Sequence, residues 1–561
     1  MSDQPASDQP AVDPFEVVTA DVRGVPTRVF RHAPPSLRTV WELSAAYGDA
    51  TYLVYGDERV SFADAHRRVA SLAAHLAGDL GVRSGDRVAI ASRSYPEWAL
   101  SFWATVSLGA VAVPLNAWWS GPELAYGLAH SGSVVLFADD ERVERTIPHL
   151  EETSVRSVVL IRSERHLPDA VTFETLVGEP DAELPAAHID PDHDATIMYT
   201  SGTTGRPKGA VGTHRNAISH LMNSAYRAAM SAPPPDPDAP PVTPTPPATL
   251  LTLPLFHVGG LQSFLLPFTA SGGKVVLMYK WDVQQAIDLI ERERVTTIAG
   301  VPAVLFQLLD EATTQGRDLS SLAGIGAGAT LVPPELVRRI DRQLEHRAAP
   351  ANGYGLTETS GAAITNSGAD YLARPDSVGR PISPAMEVRV VDVDGTDAPT
   401  GEVGEIWLKG PTVVRGYFDD EAATAAAFTD GWFHTGDLGR LDADGFLYVV
   451  DRLKDVVIRG GENVYAAEVE AAIHEHPDVL EVAVVGVPHD RLGEEVGAVV
   501  RRRAGGSVTP DEIRDHVAAR LAAFKVPTHV WISDHELPKN ATGKVLKREL
   551  REQMRERTTT T

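Results

Sequence analysis

The sequence predicts an α/β fold, with a large N-terminal domain of several subdomains built from β-α layers and a small α+β C-terminal domain. Three observations support this prediction. The chain has 561 residues, which is too long for a single hydrophobic core. Helical and strand patterns alternate along most of its length, as in layered α/β proteins. After about residue 450 the sequence changes to a compact mixture of basic and acidic residues.

The β-α pattern begins after about residue 36 and occurs in two blocks. Ser61 and Asp64 are spaced like a helix cap, and the periodicity that follows them is helical. The elements predicted for the first block are a helix over 61–80, a strand over 87–92, a helix opened by Pro96 and a strand near 134–138. The elements predicted for the second block are a helix over 283–293, a strand over 296–299 and a helix over 303–311.

Composition excludes several classes of function. The chain carries 51 basic and 76 acidic residues, a net charge of −25, which argues against nonspecific binding to nucleic acid or anionic membranes. It contains no cysteine, so disulfides, thiolate metal sites and a cysteine nucleophile are excluded, and any thioester must form on an external thiol. No apolar run is long enough for a membrane span, and the first residues are polar and acidic, so we expect a cytoplasmic location.

Three segments are expected to lie outside the packed domains. Residues 1–15 should be disordered, and residues 557–561 should form a tail. Residues 232–247 are rich in proline and should form an exposed, extended loop. Because this loop precedes the strand that leads to His257, it could shield the entrance for an acyl group. A neutral insertion is the alternative.

Residues 199–209 form a glycine- and hydroxyl-rich loop that contains a lysine near its end. The glycines let the backbone approach an anion, the hydroxyl groups can donate to phosphate oxygens, and Lys208 adds a positive charge. The common P-loop requires Ser or Thr after the lysine, whereas here Gly209 follows it. The loop therefore predicts a polyphosphate site of another type, with a surface turn as the alternative. Its candidate binding residues are Thr200, Ser201, Gly202, Thr203, Thr204, Gly205 and Lys208.

Further motifs follow along the chain: Asn-Gly-Tyr-Gly-Leu-Thr-Glu-Thr at 352–359, Gly-Trp-Phe-His-Thr-Gly-Asp at 431–437, Arg-Gly-Gly-Glu-Asn at 459–463 and Leu-Pro-Lys-Asn-Ala-Thr-Gly-Lys at 537–544. Together with the loop they resemble the adenylate-forming superfamily, which comprises acyl-CoA synthetases, aryl-CoA ligases, luciferases and the adenylation domains of peptide synthetases. The resemblance covers about residues 36–551, and the overall sequence is most similar to bacterial fatty-acid–CoA ligases.

The resemblance implies an AMP-forming acid–thiol ligase. Such an enzyme uses ATP and Mg²⁺ to convert a carboxylate into an acyl-AMP with release of pyrophosphate, and then transfers the acyl group to coenzyme A. Negative charge grows on phosphate oxygens in the first step, so the site needs a metal ion, hydroxyl and amide donors, and a lysine. The alternative acceptors are a carrier-protein thiol or a nitrogen nucleophile. A phosphate-transferring or hydrolytic NTPase is the least favoured alternative.

The resemblance also assigns the nucleotide contacts. Glu358 would bind Mg²⁺ together with Thr200. Asp437 is suited to the two ribose hydroxyls because a carboxylate can accept both hydrogen bonds, and Arg452 would be a second ribose contact. Adenine and one phosphate would lie along the 352–359 motif, at Asn352, Gly353, Tyr354 and Thr357, with Tyr354 against the ring and Thr357 at the phosphate.

Two domains and a hinge are implied by the same resemblance. The N-terminal domain would span residues 16–452, the hinge residues 453–454, with Lys454 as the hinge residue, and the mobile C-terminal domain residues 455–556. The C-terminal domain would then adopt two orientations during the reaction.

Each orientation would bring a different part of the C-terminal domain to the site. In the first, Lys544 would bridge the incoming carboxylate and the α-phosphate of ATP. In the second, Lys544 would be withdrawn, and Gly460 and Gly461 would let the backbone pass close to a pantetheine channel for coenzyme A. The alternative role for the two glycines is an ordinary hairpin turn.

The choice of acid is constrained by residues 253–260. They place Phe-His where amino-acid-activating relatives carry Phe-Asp, so no carboxylate is available to pair with a substrate ammonium, and an α-amino acid is disfavoured. A medium- or long-chain fatty acid is favoured, and aromatic acids remain open. The candidate pocket residues are His257, Gly300, Gly326, Ala327 and Gly328, and the candidate catalytic residues are Lys544, Glu358, Thr200 and His257.

Overall fold

The computed structural model describes residues 13–165, 167, 170–200, 206–231, 246–328, 330, 332–503, 505–540 and 544–559. These residues form two large sheets, two five-stranded sheets and an N-terminal hairpin, all accompanied by helices. This arrangement confirms the predicted α/β class. Several predictions fall partly or wholly outside the described residues: those on residues 1–12, on residues 201–205 of the phosphate loop, on residues 232–245 of the proline-rich segment, on residues 541–543 of the C-terminal motif and on residues 560–561 of the tail. The helix Lys547–Thr559 extends into the first part of the predicted tail.

The first large sheet has seven strands, and every neighbouring pair is parallel except one edge pair. In spatial order the strands are Gly209–Thr213, Asp194–Tyr199, Val111–Pro114, Arg87–Ala91, Val135–Asp139, Ser157–Ile161 and Ala170–Thr172. The helices in this part of the chain are Leu37–Ser44, Phe62–Gly78, Pro96–Ser107, Gly121–Ser131, Asp140–Thr146, Phe173–Leu176 and His214–Ser231. The helix Pro96–Ser107 is buried along its whole length, so it forms the centre of this layer.

The second large sheet has nine strands, and its central strands are parallel. In spatial order they are Arg380–Pro381, Gly361–Ser367, Ala349–Leu356, Gly324–Ala327, Thr297–Gly300, Ala248–Leu251, Lys274–Leu277, Thr51–Tyr55 and Glu58–Ser61. The helices in this region are Val258–Gly260, Leu261–Leu265, Leu266–Ala270, Val283–Glu293, Pro302–Gln315, Pro334–Gln343 and Gly368–Ala373. Because the central strands are parallel, their carboxyl ends meet at one edge, where ligands bind in open α/β sheets.

The remaining sheets are smaller and antiparallel in most pairs. The N-terminal hairpin comprises Val17–Val22 and Val25–Phe30. The third sheet comprises Glu387–Val391, Gly404–Lys409, Trp432–Leu441, Phe428–Thr429 and Leu447–Arg452, and the helix Glu421–Ala427 lies beside it. The last sheet comprises Glu462–Val464, Val457–Arg459, Gly493–Arg502, Val479–His489 and His529–Ser533, with the helices Ala466–His474, Pro510–Ala518 and Lys547–Thr559. This last unit has its own hydrophobic core, as an α+β domain requires.

Several local predictions are confirmed. Ser61 caps the helix Phe62–Gly78, since its hydroxyl accepts a hydrogen bond from the amide of Asp64 at 3.0 Å. Pro96 opens the next helix, at a position where its missing N–H costs no hydrogen bond.

Short 3₁₀ turns occur at Ala45–Tyr47, Ile147–Glu152, Thr357–Thr359, Leu453–Asp455 and Ala523–Lys525. Over the part of the chain that the structure describes, no helix is long and apolar enough to cross a membrane.

Candidate active site

Asp437 and Arg452 form the first part of the site. They are partners across the antiparallel strands Trp432–Leu441 and Leu447–Arg452, and Arg452 Nε lies 3.2 Å from Asp437 Oδ1. The other carboxylate oxygen, Oδ2, accepts a hydrogen bond from the hydroxyl of Tyr354 at 2.8 Å. Burial, and then the charge of Asp437, raise the pKa of Tyr354 well above its ordinary value, so this hydroxyl remains a donor. Each carboxylate oxygen has a second lone pair, which two ribose hydroxyls would require.

Glu358 lies in the 3₁₀ turn that follows the strand carrying Tyr354. Its side chain is buried, and burial raises the pKa of its carboxyl group. The hydroxyl of Tyr417 donates to Glu358 Oε1 at 2.7 Å and opposes that rise. A buried carboxylate of this kind suits a hard divalent cation, whose charge would offset the cost of burial.

Tyr417 connects Glu358 to Lys208. Lys208 Nζ lies 4.9 Å from the centre of the Tyr417 ring, which is a cation–π distance. The backbone holds this segment in place, since the amide of Phe418 donates to the carbonyl of Gly209 at 2.7 Å. No sequence motif marks Tyr417, because its position depends on the pairing of two segments that are far apart in the chain.

A polar cavity of about 230 Å³ lies beside the candidate phosphate loop. The amide of Thr200 donates to the carbonyl of Lys208 at 2.9 Å, which holds the two ends of the loop together. The residues that line this cavity include Tyr126, His130, Arg206, Lys208 and Asp420. Two cations from the loop therefore face a space next to the predicted phosphate site. The contacts of Ser201, Gly202, Thr203, Thr204 and Gly205 lie outside the described residues and remain predictions.

The other residues of the 352–359 motif lie on or beside the same strand. Asn352 is buried, and its carbonyl accepts a hydrogen bond from the hydroxyl of Thr365 at 3.0 Å. A Cβ added at Gly353 would lie 3.0 Å from a Cβ of the neighbouring strand, so close strand pairing accounts for this glycine. Thr357 begins the 3₁₀ turn that contains Glu358. The adenine and phosphate contacts assigned to these residues remain predictions.

Lys544 reaches the same site from the C-terminal domain. Burial lowers its pKa to about 7; the charges of Arg452 and Lys454 act in the same direction, and that of Asp437 opposes them. The backbone amide of Lys544 donates to Asn540 Oδ1 at 2.9 Å, and its carbonyl accepts from the amide of Asn540 at 2.8 Å. A buried ammonium in this position would be stabilised by an anion such as a phosphate oxygen. In this structure the ammonium of Lys544 is therefore close enough to Asp437 and Arg452 for their charges to affect its pKa.

Gly460 and Gly461 form the turn of an exposed hairpin between the strands Val457–Arg459 and Glu462–Val464. Their φ angles of +61° and +92° favour glycine. A Cβ added at Gly461 would meet no atom within 4 Å, so no described residue packs closely against this position. The assignment of both glycines to a coenzyme A channel, and of Lys454 to the hinge, remain predictions.

A second cavity, of about 200 Å³, lies where the central strands of the nine-stranded sheet end. We call it the aromatic cavity and define it by the lining residues Arg93, Trp118, Phe256, Tyr279, Trp281 and Gly300. Gly300 is the last residue of the strand Thr297–Gly300. The loops that follow the neighbouring strands Ala248–Leu251 and Lys274–Leu277 form the facing walls. Of the five predicted pocket residues, Gly300 is the one that lines this cavity among the residues described.

The other predicted pocket residues, all of them described, are not among its lining residues: His257, Gly326, Ala327 and Gly328. His257 caps a short helix, where its Nδ1 accepts a hydrogen bond from the amide of Gly259 at 3.1 Å. Burial lowers its pKa to about 4, so the imidazole is neutral at pH 7. A Cβ added at Gly326 would lie 2.9 Å from the Cβ of Ala299, so close strand packing accounts for that glycine. The catalytic and pocket roles of these residues remain predictions.

Comparison with known proteins agrees with this geometry. The family model "AMP-binding enzyme" matches residues 40–418, and the model "AMP-binding enzyme C-terminal domain" matches residues 468–544. The chain is similar to a feruloyl-CoA synthase from an Amycolatopsis species, with 36% identity over 509 residues that cover 90% of this chain and 95% of that protein. It is also similar to a long-chain-fatty-acid–CoA ligase from Bacillus subtilis, with 30% identity over 539 residues that cover 91% and 93% of the two chains.

Solved structures give the same result. The structure of O-succinylbenzoate coenzyme A synthetase from Bacillus subtilis, in complex with ATP and a magnesium ion, matches with a TM-score of 0.78 and 32% sequence identity. The match covers 92% of this chain and 99% of that one, so the shared architecture includes both domains. The chain therefore belongs to the adenylate-forming superfamily, within the family of AMP-forming acid–CoA ligases.

Proposed function

We propose that this ligase activates an aromatic carboxylic acid as its acyl-AMP and transfers the acyl group to coenzyme A. The aromatic cavity is the observation that supports this choice of acid. Trp118 and Phe256 meet edge to face in its wall, with ring centroids 5.3 Å apart. Rings arranged in this way favour a further ring that can stack or meet them edge on.

The size of the aromatic cavity also favours a compact acid. Its volume of about 200 Å³ lies below the range of roughly 300–1,000 Å³ that is common for pockets of drug-sized ligands. One ring with a short side chain suits this space better than a long, flexible hydrocarbon chain. The feruloyl-CoA synthase is, moreover, the more similar of the two curated relatives compared above. A fatty acid, which the sequence alone favours, is the second candidate.

The residues present fit ATP with Mg²⁺. Glu358 would hold the ion together with Thr200. Within the described parts of the chain, no group of three or more His, Cys, Asp or Glu side chains is arranged to bind a metal. This is compatible with Mg²⁺, which keeps several waters and binds through one or two protein groups plus substrate phosphates. When bound, the ion would neutralise charge on the phosphate oxygens.

The protein side chains would position the first half-reaction. A carboxylate oxygen of the acid attacks the α-phosphorus of ATP, a new P–O bond forms, and the bond to the bridging oxygen breaks, so that pyrophosphate leaves. Asp437 and Arg452 would hold the ribose, and Lys208 would donate to the departing phosphates. Lys544 would donate to the acid and the α-phosphate, where the negative charge is shared.

The second half-reaction would use the other domain orientation. The sulfur of coenzyme A attacks the acyl carbon, the C–O bond to AMP breaks, and the thiol proton passes to solvent. We propose coenzyme A as the acceptor because both curated relatives compared above are named as ligases or synthases that form acyl-CoA. A carrier-protein thiol or a nitrogen nucleophile is the alternative, since either would accept the same acyl-AMP.

A panel of acids tests the proposal. Benzoate, cinnamate, octanoate and palmitate would each be assayed for pyrophosphate and AMP release with ATP and Mg²⁺, with and without coenzyme A. We expect the aromatic acids to give the highest rates, and repeated turnover to require coenzyme A. Highest activity with palmitate would overturn the choice of an aromatic acid. Formation of acyl-AMP without any thioester would favour the carrier-protein or nitrogen acceptor, and release of ADP and phosphate would exclude adenylation.

A further inference from the structure

Arg93 presents an unsatisfied guanidinium to the aromatic cavity. Its Cζ lies 4.2 Å from the centre of the Trp118 ring and 5.0 Å from that of the Tyr279 ring. Both Nε and Nη1 are buried, and neither has a hydrogen-bond partner within the described residues. The two ring faces stabilise the cation, but they cannot accept hydrogen bonds from N–H groups in the guanidinium plane. A buried N–H donor without a hydrogen-bond acceptor costs free energy. A ligand that accepts hydrogen bonds from this edge of the guanidinium would remove that cost.

Arg162 provides a comparison within the same cluster of aromatic side chains. It also lies over a ring, 5.1 Å from the centre of Tyr95, and Tyr95 in turn contacts Tyr279 at a centroid distance of 6.1 Å. The guanidinium of Arg162 is paired, because its Nε lies 2.9 Å from a carboxylate oxygen of Glu97. Stacking on tyrosine therefore does not prevent an arginine in this cluster from pairing with a carboxylate.

Asp139, the carboxylate that accepts a hydrogen bond from the backbone of Arg93, is already paired with another arginine. Asp139 Oδ2 accepts the backbone amide of Arg93 at 3.0 Å, but the same carboxylate is bound by Arg142 Nη1 at 3.0 and 3.1 Å. Lys280 also lines the aromatic cavity. The described residues that line this cavity include no Asp or Glu. The aromatic cavity thus combines two cations with apolar and aromatic walls, which disfavours a wholly apolar ligand and favours one with an anionic end.

We propose that Arg93 determines substrate specificity by binding a second, distal carboxylate of the aromatic acid. This inference rests on the proposed function, since it places the substrate ring in the aromatic cavity. A guanidinium edge matches a carboxylate through two parallel N–H···O bonds, and such charged bonds are stronger than neutral ones. The substrate class is therefore an aromatic dicarboxylic acid, in which one carboxylate is adenylated and the other is held by Arg93.

Two acids that differ only in the distal group test this inference. Cinnamate and 4-carboxycinnamate would be compared by acid-dependent exchange of pyrophosphate into ATP, with kcat/KM measured for the wild type, Arg93→Gln, Arg93→Lys and Arg28→Gln. Arg28 is an exposed arginine on the N-terminal hairpin and serves as the control for loss of one positive charge. We expect the wild type and Arg28→Gln to prefer the diacid by about 10–100-fold, the effect of one charged hydrogen-bonded pair.

The arginine variants should change the preference and not the reaction. Arg93→Gln should lower the ratio of kcat/KM for 4-carboxycinnamate to kcat/KM for cinnamate by about 10–100-fold, whatever its effect on cinnamate itself, and Arg93→Lys should keep part of the preference because the positive charge remains. Thermal unfolding curves would identify a variant that fails to fold, in which case Arg93→Lys alone decides.

Four outcomes would overturn the inference. In the first, the wild type does not prefer the diacid. In the second, Arg93→Gln lowers kcat/KM equally for both acids. In the third, Arg93→Gln raises the KM for coenzyme A and leaves pyrophosphate exchange unchanged, which would assign Arg93 to a phosphate of coenzyme A. In the fourth, neither aromatic acid supports exchange while octanoate or palmitate does. That result would reject the proposed function itself, whereas the first three leave it standing.

Discussion

Arg452 Nε lies 3.2 Å from Asp437 Oδ1, and the two residues are also direct partners in the ladder between their strands. The strand pairing fixes the separation of their backbones, so few side-chain rotamers need to be excluded for the two groups to pair. The carboxylate is additionally held by the hydroxyl of Tyr354. A group restrained from two directions is preorganised for a ligand, which lowers the entropy lost when the ligand binds.

Asp437→Asn should therefore weaken nucleotide binding more than it slows chemistry. The amide keeps the shape of the side chain but loses the charge that pairs with Arg452 and one acceptor for the ribose hydroxyls. We expect the KM for ATP to rise by about 10-fold or more, consistent with the loss of one charged hydrogen bond, with a smaller change in kcat. Asp444→Asn, at an exposed salt bridge, is the matched control. A normal KM in Asp437→Asn would contradict the ribose assignment.

Lys544→Ala should separate the two half-reactions. Pyrophosphate exchange should fall by about 10²–10³-fold, as for removal of one group that stabilises transition-state charge. Thioester formation from supplied acyl-AMP should be nearly unchanged, because Lys544 is withdrawn in the proposed second orientation. Lys539→Ala is the control, since Lys539 is paired with Glu481 and Glu536 and has no assigned role in the reaction. Equal damage to both steps would argue against two orientations.

Tyr417→Phe should shift the pH dependence of adenylation. The Tyr417 hydroxyl lowers the pKa of Glu358, which burial raises, so its removal should raise that pKa further. In its proposed role Glu358 binds Mg²⁺ as a carboxylate, so activity should be lost as pH falls through its pKa, and a higher pKa should move the acidic limb of the kcat/KM profile to higher pH. The profile would be measured between pH 5 and 8 beside Tyr47→Phe, a tyrosine outside the site. An unmoved acidic limb would show that the hydroxyl does not tune Glu358.

Domain closure of the nucleotide-free protein should depend on pH through Lys544. Burial foremost lowers the pKa of Lys544 to about 7 in the described orientation, which we call closed, from the ordinary lysine value of about 10.5. The closed form therefore binds fewer protons than an open form, and closure should be favoured as pH rises from 7 towards 10. Small-angle scattering should show a smaller radius at pH 9 than at pH 6 in the wild type and little change in Lys544→Met. The same pH response in both proteins would remove Lys544 as its cause.

Gly461→Leu tests the proposed coenzyme A channel. Pyrophosphate exchange should persist while thioester output falls, because the hairpin is exposed in the described orientation and would face the acceptor only in the other one. The φ of +92° adds local strain to any such variant, so Gly445→Leu is the control: Gly445 has a φ of +78° and likewise no atom within 4 Å of an added Cβ. Loss of both half-reactions would mean that Gly461 is required for folding.

The elements with strong local signals could be predicted from the sequence. The cap at Ser61, the proline that opens the helix Pro96–Ser107 and the periodicity of the helix Val283–Glu293 all act within a few residues, and the structure has each of them. The family resemblance assigned both Asp437 and Arg452 to the ribose, but it did not predict their pairing across two strands.

Residues brought together by long-range packing could not be predicted. Tyr417 contacts Glu358 and Lys208 only because separate segments pair, and Arg93 reaches the aromatic cavity from the loop that follows the strand Arg87–Ala91 of the other large sheet. Periodicity and spacing describe one segment at a time, so they contain no information on contacts between residues that are far apart in the chain. For Gly326 the motif suggested a substrate contact, whereas close strand packing already accounts for the glycine.

The strand Leu447–Arg452 ends at Arg452, and the turn that contains Lys454, the proposed hinge residue, starts at the next position. A contact proposed for the ribose thus lies two residues before the proposed pivot of the domain rotation. Nucleotide affinity and domain orientation would then be coupled thermodynamically, and the coupling must be reciprocal. If the domain rotation lowers the affinity for AMP by some factor, bound AMP lowers the equilibrium constant for that rotation by the same factor. The loss of AMP affinity and the shift in domain orientation would therefore report the same coupling free energy.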